Sequence, residues 1–141
     1  ISNLGDFLDK SLFTFSYFHD ILKGLNINNV CIEDISMKFR PGFSSAQVIT
    51  LLARFNGIIS HILYHITKTK PTFIMASQAR KLAYNRSFPR GEDIKLLVFK
   101  EVNKIENITW PKNKKDKIRK ECFDMTDSYT MAKSGFKIAN K

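Results

Sequence analysis

Two carboxylate groupings carry the most chemistry in this chain. Near the C-terminus, Asp124 and Asp127 stand three residues apart in Cys122-Phe123-Asp124-Met125-Thr126-Asp127-Ser128-Tyr129. On a helix that spacing puts both acids on one face. Far upstream, Glu33 follows the apolar run Val30-Cys31-Ile32, which places it at the end of a strand. A helix-borne acid pair and a strand-borne third acid can hold a divalent cation, Mg²⁺ or Mn²⁺, against phosphate oxygens. The plainer reading is a solvated pair on a helix and an ordinary acid at a strand end. The residues alone leave both open.

Basic side chains supply the complementary chemistry. The segment after Glu33 carries Lys38, Phe39, Arg40 and Phe43. Its cations suit phosphate, and an exposed aromatic ring could stack on a base; a loop with buried Phe is the competing reading. A second group is Arg80, Lys81, Arg86, Arg90 and Lys95 in ASQARKLAYNRSFPRGEDIK. Lys95 could stabilise phosphate charge at a reacting centre, whereas most of the others fit a solvated face equally well. The run Lys112 to Lys120 reads as a basic flexible segment within 103–120, able to add salt-dependent affinity for nucleic acid. His61 and His65 are one turn apart, but Ile62 breaks any HExxH pattern, so a zinc site has little support. There is no GxSxG, no P-loop and no dinucleotide fingerprint.

The elements that must position these residues follow from periodicity. Leu12–Leu25 reads as a helix with Phe15, Phe18, Leu22 and Leu25 at helical spacing, ended by Gly24 and an Asn-rich stretch. Residues 29–35 read as a strand. Ser44 with Gln47 forms a capping box for a long helix to about Ile66, apolar at Val48, Leu51, Leu52, Phe55, Ile58, Ile59, Ile62 and Leu63. A short strand over Thr72–Met75 precedes a helix capped by Ser77, from Gln78 to Tyr84. Helices over Glu92–Val102 and Glu121–Lys133 complete the pass, the last ended by Gly135. Strands alternating with helices imply one α/β domain spanning 1–141. Two strands make a poor sheet, so further strands are expected, either unread within these residues or upstream of Ile1.

Composition narrows the partner. The 141 residues carry a net charge of +10. Residues 1–67 are neutral, with five basic and five acidic side chains, while residues 68–141 hold 18 basic and 8 acidic ones. A basic half beside a neutral half points to a polyanion. Cys31 and Cys122 are far apart and suggest no disulfide framework, which fits a reducing compartment. The apolar stretch from Val48 to Ile66 is interrupted by Arg54, Asn56, Ser60 and two histidines, so no membrane partner is expected.

The segments VCIEDISMKFRPGFSSAQVITLLARFNGIISHIL, PTFIMASQARKLA, RGEDIKLLVF and FDMTDSYTMAKSGF, in that order, resemble the RuvC-type Holliday junction resolvases of the RNase H-like superfamily, in a phage- or organelle-like form. The resemblance covers residues 12–138. It implies an RNase H-like mixed sheet flanked by helices and metal-dependent, structure-selective cleavage of branched DNA, such as a four-way junction. It also implies a homodimer. Glu33, Asp124 and Asp127 would be metal ligands, with Lys95 near the scissile phosphate. The compartment would be host cytoplasm for a phage protein, or a mitochondrial or other organelle matrix. Ser128 replaces the Ala usual after the last Asp, a minor departure. A larger one is that nothing here matches the family's first catalytic Asp, since Asp6 and Asp9 lie in a stretch unlike a strand. That Asp and the first strands are therefore expected upstream, or else the full metal site was lost, and these residues alone are expected not to cleave. The alternative is a non-catalytic nucleic-acid-binding module within a larger assembly.

Overall fold

The computed structural model describes residues 4–35, 46–89, 93–115 and 117–140. These form α1 (Leu4–Leu22), β1 (Cys31–Asp34), α2 (Ala46–Thr67), β2 (Thr72–Met75), α3 (Ala76–Tyr84), α4 (Ile94–Ile105) and α5 (Glu121–Ala139). They divide into two compact units, Ile1–Phe73 and Ile74–Lys141.

The expected RNase H-like mixed sheet does not form. Among the described residues β1 and β2 are the only strands, a parallel pair, and five helices carry the structure. The reason lies in the patterning. Apolar side chains recur at helical period almost throughout, and only residues 31–34 and 72–75 are short runs bounded by turn formers. Two four-residue strands cannot build a sheet layer, so helices pack on helices instead.

In the first unit α1 turns one stripe inward. Ser11, Thr14, Phe15, Phe18 and Leu22 are half-buried while their neighbours are exposed, which is the 3.6-residue period of an amphipathic helix. Gly24 ends the element with φ 78°, a left-handed conformation that glycine adopts without a Cβ penalty. Helix α2 packs on α1, but its first three turns depart from expectation. Val48, Leu51, Leu52 and Phe55 are exposed, and burial reaches its peak only at Ile62. At 22 residues α2 is long and apolar enough to cross a membrane, by length and composition alone. The strand pair begins with Thr72 N–H donating to the Val30 carbonyl at 2.9 Å.

In the second unit α5 is the central element, packed on both α3 and α4. Cys122, Thr126, Thr130 and Ser134 recur every four residues and are at most 1% exposed. Small side chains on one helix face let neighbouring backbones approach closely, and Ala79 and Ala83 of α3 are small and buried too. The hydroxyls are satisfied within the helix, Thr126 Oγ1 on the Phe123 carbonyl at 2.8 Å and Ser134 Oγ on that of Met131 at 2.7 Å. Gly135, expected to stop the helix, lies on this buried face and α5 continues to Ala139. The expected Ser77 cap of α3 is also displaced: that helix starts at Ala76 with Met75 at the cap position and no side-chain cap bond.

Of residues 103–120, expected to be a flexible segment, 103–105 end α4, and several of the others are packed or hydrogen-bonded where they are described. Trp110 is buried against Phe99, with ring centroids 5.1 Å apart, and its indole N–H donates to Asn103 Oδ1. Val98, Phe99, Val102, Trp110 and Cys122 form one core, with Ile118 and Phe123 packed on it.

Candidate functional site

The second unit brings three of the singled-out residues together. Asp93 caps α4, its carboxylate accepting from Leu96 N–H at 3.1 Å. The cap fixes where α4 starts and places Lys95 in the first turn. From there Lys95 Nζ reaches Asp124 Oδ1 on α5 at 3.1 Å. Asp127 lies one turn further along the same face and is half-buried. The positive charges of Arg80 and Lys95 both act on it.

Asp124 and Asp127 differ in environment although their chemistry is the same. The Asp124 side chain is 68% exposed. Asp127 has lost water, and this loss lifts its pKa above the usual carboxylate range. Arg80 and then Lys95 pull the pKa back, and the Asp124 charge adds a smaller upward push. A carboxylate short of solvent beside a second carboxylate gains from an added cation. The Lys95–Asp124 pair, with both partners more than half exposed, contributes at most about 1 kcal/mol. It is therefore weak enough to exchange for a metal ion or a phosphate.

Two carboxylates are the part of an Mg²⁺ shell that this helix face could supply. Mg²⁺ is commonly held by one or two carboxylates, with substrate phosphate and water completing its shell. Asp124 and Asp127 would be those carboxylates. When bound, the ion would supply charge neutralisation at a phosphate and an acidified water. Among the described residues no cluster of three or more His, Cys, Asp and Glu side chains is placed to hold a metal.

Glu33 stands in the first unit, exposed at the end of β1, its backbone carbonyl accepting from Asn56 Nδ2 of α2 at 2.8 Å. Of the expected nucleic-acid contacts, Lys38, Phe39, Arg40, Phe43 and Arg90 lie outside the described residues. Lys81 is exposed on α3. Arg86 is committed elsewhere: it pairs with Glu101 at 2.9 Å and lies over the Phe88 ring, 4.9 Å from its centroid. Glu101, only 16% exposed, also takes Lys104 at 2.9 Å.

Two features escaped the reading of the sequence. Tyr129 donates to Glu106 Oε1 at 2.5 Å, tying α5 to the end of α4. The Glu106 carboxylate, assisted by lost solvent, pushes the phenol pKa up to about 12. The other is the turn after Trp110. Asn113 N–H donates to the Lys117 carbonyl at 2.8 Å, and Asn113 Oδ1 accepts from Lys115 and Lys117 N–H at 2.9 and 3.1 Å. Lys112 and Ile118 form an antiparallel bridge. Trp and Ile within a lysine-rich stretch, with Asn at a turn position, were the available signal.

No protein-family model matches this chain, and no characterised protein or solved structure matches it significantly.

Proposed function

We propose that this chain supplies metal-holding carboxylates and a phosphate-facing lysine to a metal-dependent, structure-selective DNA endonuclease of the kind the Holliday junction resolvases represent, acting on branched DNA. The observation that carries the reading is the meeting of Asp124, Asp127 and Lys95 on adjoining faces of α4 and α5. Asp124 and Asp127 would hold the cation, and Lys95 would turn from Asp124 to the phosphate as substrate arrives. Arg80 would offset charge beside Asp127. Glu33 is the third acid by resemblance. The basic excess of residues 74–141, with 16 basic and 8 acidic side chains, suits the phosphate-rich arms.

A second reading is a nucleic-acid-binding module without chemistry. The Lys95–Asp124 pair favours it, because Asp124 already has a cation beside it. A four-way junction separates the two. In the endonuclease reading, Mg²⁺ tightens junction binding by the wild type, measured by fluorescence anisotropy. The double variant Asp124→Asn/Asp127→Asn loses that dependence. Any Mg²⁺-dependent cleavage disappears in Asp124→Asn. Cleavage that survives Asp124→Asn, or an unchanged Mg²⁺ effect in the double variant, overturns the assignment.

A further inference from the structure

The lysines of the turn after Trp110 are the strongest unabsorbed charge on the molecule. Six basic residues and one acid fall between Lys112 and Lys120. A charge run of this kind ordinarily solvates a mobile loop, yet this one is built. Asn113 closes the turn from its backbone N–H and from its side chain, holding the Lys115 and Lys117 amides. The two arms are joined again where Arg119 N–H donates to the Pro111 carbonyl at 3.3 Å, and Cys122 Sγ lies 3.7 Å from the same oxygen. Each arm is rooted in the core, one through Trp110 and the other through Ile118.

The result is a tight projection presenting exposed Lys114, Lys115 and Lys117. Four other basic residues of this unit pair with acids: Arg86 and Lys104 with Glu101, Arg119 with Glu121 at 3.6 Å, and Lys95 with Asp124. Among the described residues no acidic side chain pairs with Lys114, Lys115 or Lys117. The turn also leads directly into α5, whose first two turns carry Asp124 and Asp127.

We infer that the described arms of this turn, residues 111–115 and 117–119, form a preformed phosphate-binding element that grips the nucleic-acid backbone through Lys114, Lys115 and Lys117. This rests on the proposal that the chain acts on DNA. Fixing the backbone in advance lowers the ordering cost of binding, and each lysine that neutralises a phosphate releases condensed counterions. The contact reads no base, so it contributes affinity and placement without sequence preference.

The test uses the full chain and a four-way junction, with affinity followed against salt concentration. The triple variant Lys114→Gln/Lys115→Gln/Lys117→Gln is expected to bind about 500-fold more weakly at 0.1 M salt, with the two affinities converging at about 1 M. Its log K against log salt slope should be shallower by about 2.7, the value for three lost phosphate contacts on duplex arms. Asn113→Ala keeps every charge and loosens the turn, so a built element loses about threefold in affinity with its slope nearly unchanged. A triple variant with wild-type affinity and slope overturns the inference and leaves the nuclease reading standing. A wild type that binds no nucleic acid overturns both. Sedimentation with phosphatidylserine vesicles is the control: binding there that needs the same three lysines, without binding to DNA, assigns the turn to a membrane and rejects the inference.

Discussion

The two units of this chain reach their structures by different means. In residues 74–141 three helices and a turn interlock around Val98, Val102, Trp110 and Cys122, each buried to within 8%. In residues 1–73, which hold α1, α2 and β1, few apolar side chains are well buried, Val30, Ile32 and Ile62 among the described residues. Leu12, Phe13, Leu51, Leu52 and Phe55 stay between 39% and 74% exposed. Packing of an apolar face, rather than helix propensity, supplies most helical stability. The second unit also carries the charge, and its site residues sit on the elements best fixed by that packing.

The sharpest way to break this contrast is to truncate one apolar residue in each unit. Trp110→Ala removes a buried indole, its Phe99 contact and its bond to Asn103, and is expected to cost about 3–5 kcal/mol. Leu51→Ala removes a side chain that is 55% exposed, and is expected to fall within about 0.5 kcal/mol. Chemical denaturation of both variants checks this. Equal losses would show that the first unit depends on Leu51 as the second depends on Trp110.

How much of this was legible in the sequence follows the same division. Helical period found α2, α3, α4 and α5 to within a few residues, because apolar spacing is a local property. The sheet architecture was misjudged, because two short strand runs between helices were taken as part of a larger α/β sheet, and the resemblance reinforced that expectation, whereas the described residues form only the two strands. Gly135 was read as a stop signal, yet on α5 it continues a stripe of small buried residues, and that role depends on the neighbouring helices. For the site, the i,i+3 spacing of Asp124 and Asp127 correctly placed them on one helix face. The Lys95 pairing crosses 29 residues of sequence, and periodicity carries no information at that range. Arg86 was grouped with the phosphate contacts because sequence cannot reveal Glu101, fifteen residues away, as its partner.

A smaller effect sharpens the account of how α4 and α5 are joined. Tyr129→Phe deletes the hydroxyl bonded to Glu106 and is expected to cost about 1 kcal/mol at neutral pH, less than a fully buried charged hydrogen bond because the site is partly open to solvent. The folded-state pKa lies above the ordinary phenol value, at about 12. The contribution is therefore fully present below about pH 10 and lost as pH rises through 12. The stability gap between wild type and Tyr129→Phe should accordingly close across that window. A gap constant to pH 12 would place the effect in packing rather than in the hydrogen bond.

The smallest predicted effect concerns the site itself, and its sign is the informative part. Desolvation raises the Asp127 pKa despite Arg80 and Lys95. For an acid whose folded pKa is raised, stability is fully present below the unfolded value, about 3.9, and is lost as pH climbs through the folded value. At pH 7 the ionised Asp127 therefore weakens the fold, so Asp127→Asn is expected to raise the melting temperature, by at most about 4 °C in a protein of this size. The gain should vanish near pH 3, where the acid is protonated and resembles the amide in charge. Asp124→Asn should show no comparable gain, since that acid is solvated and paired with Lys95. Such a result would fit the cation site proposed for Asp124 and Asp127. If Asp127→Asn instead lowers the melting temperature at pH 7, the charge of Asp127 is held by Arg80 as a structural pair. The contrast between Asp124 and Asp127 then loses its functional meaning.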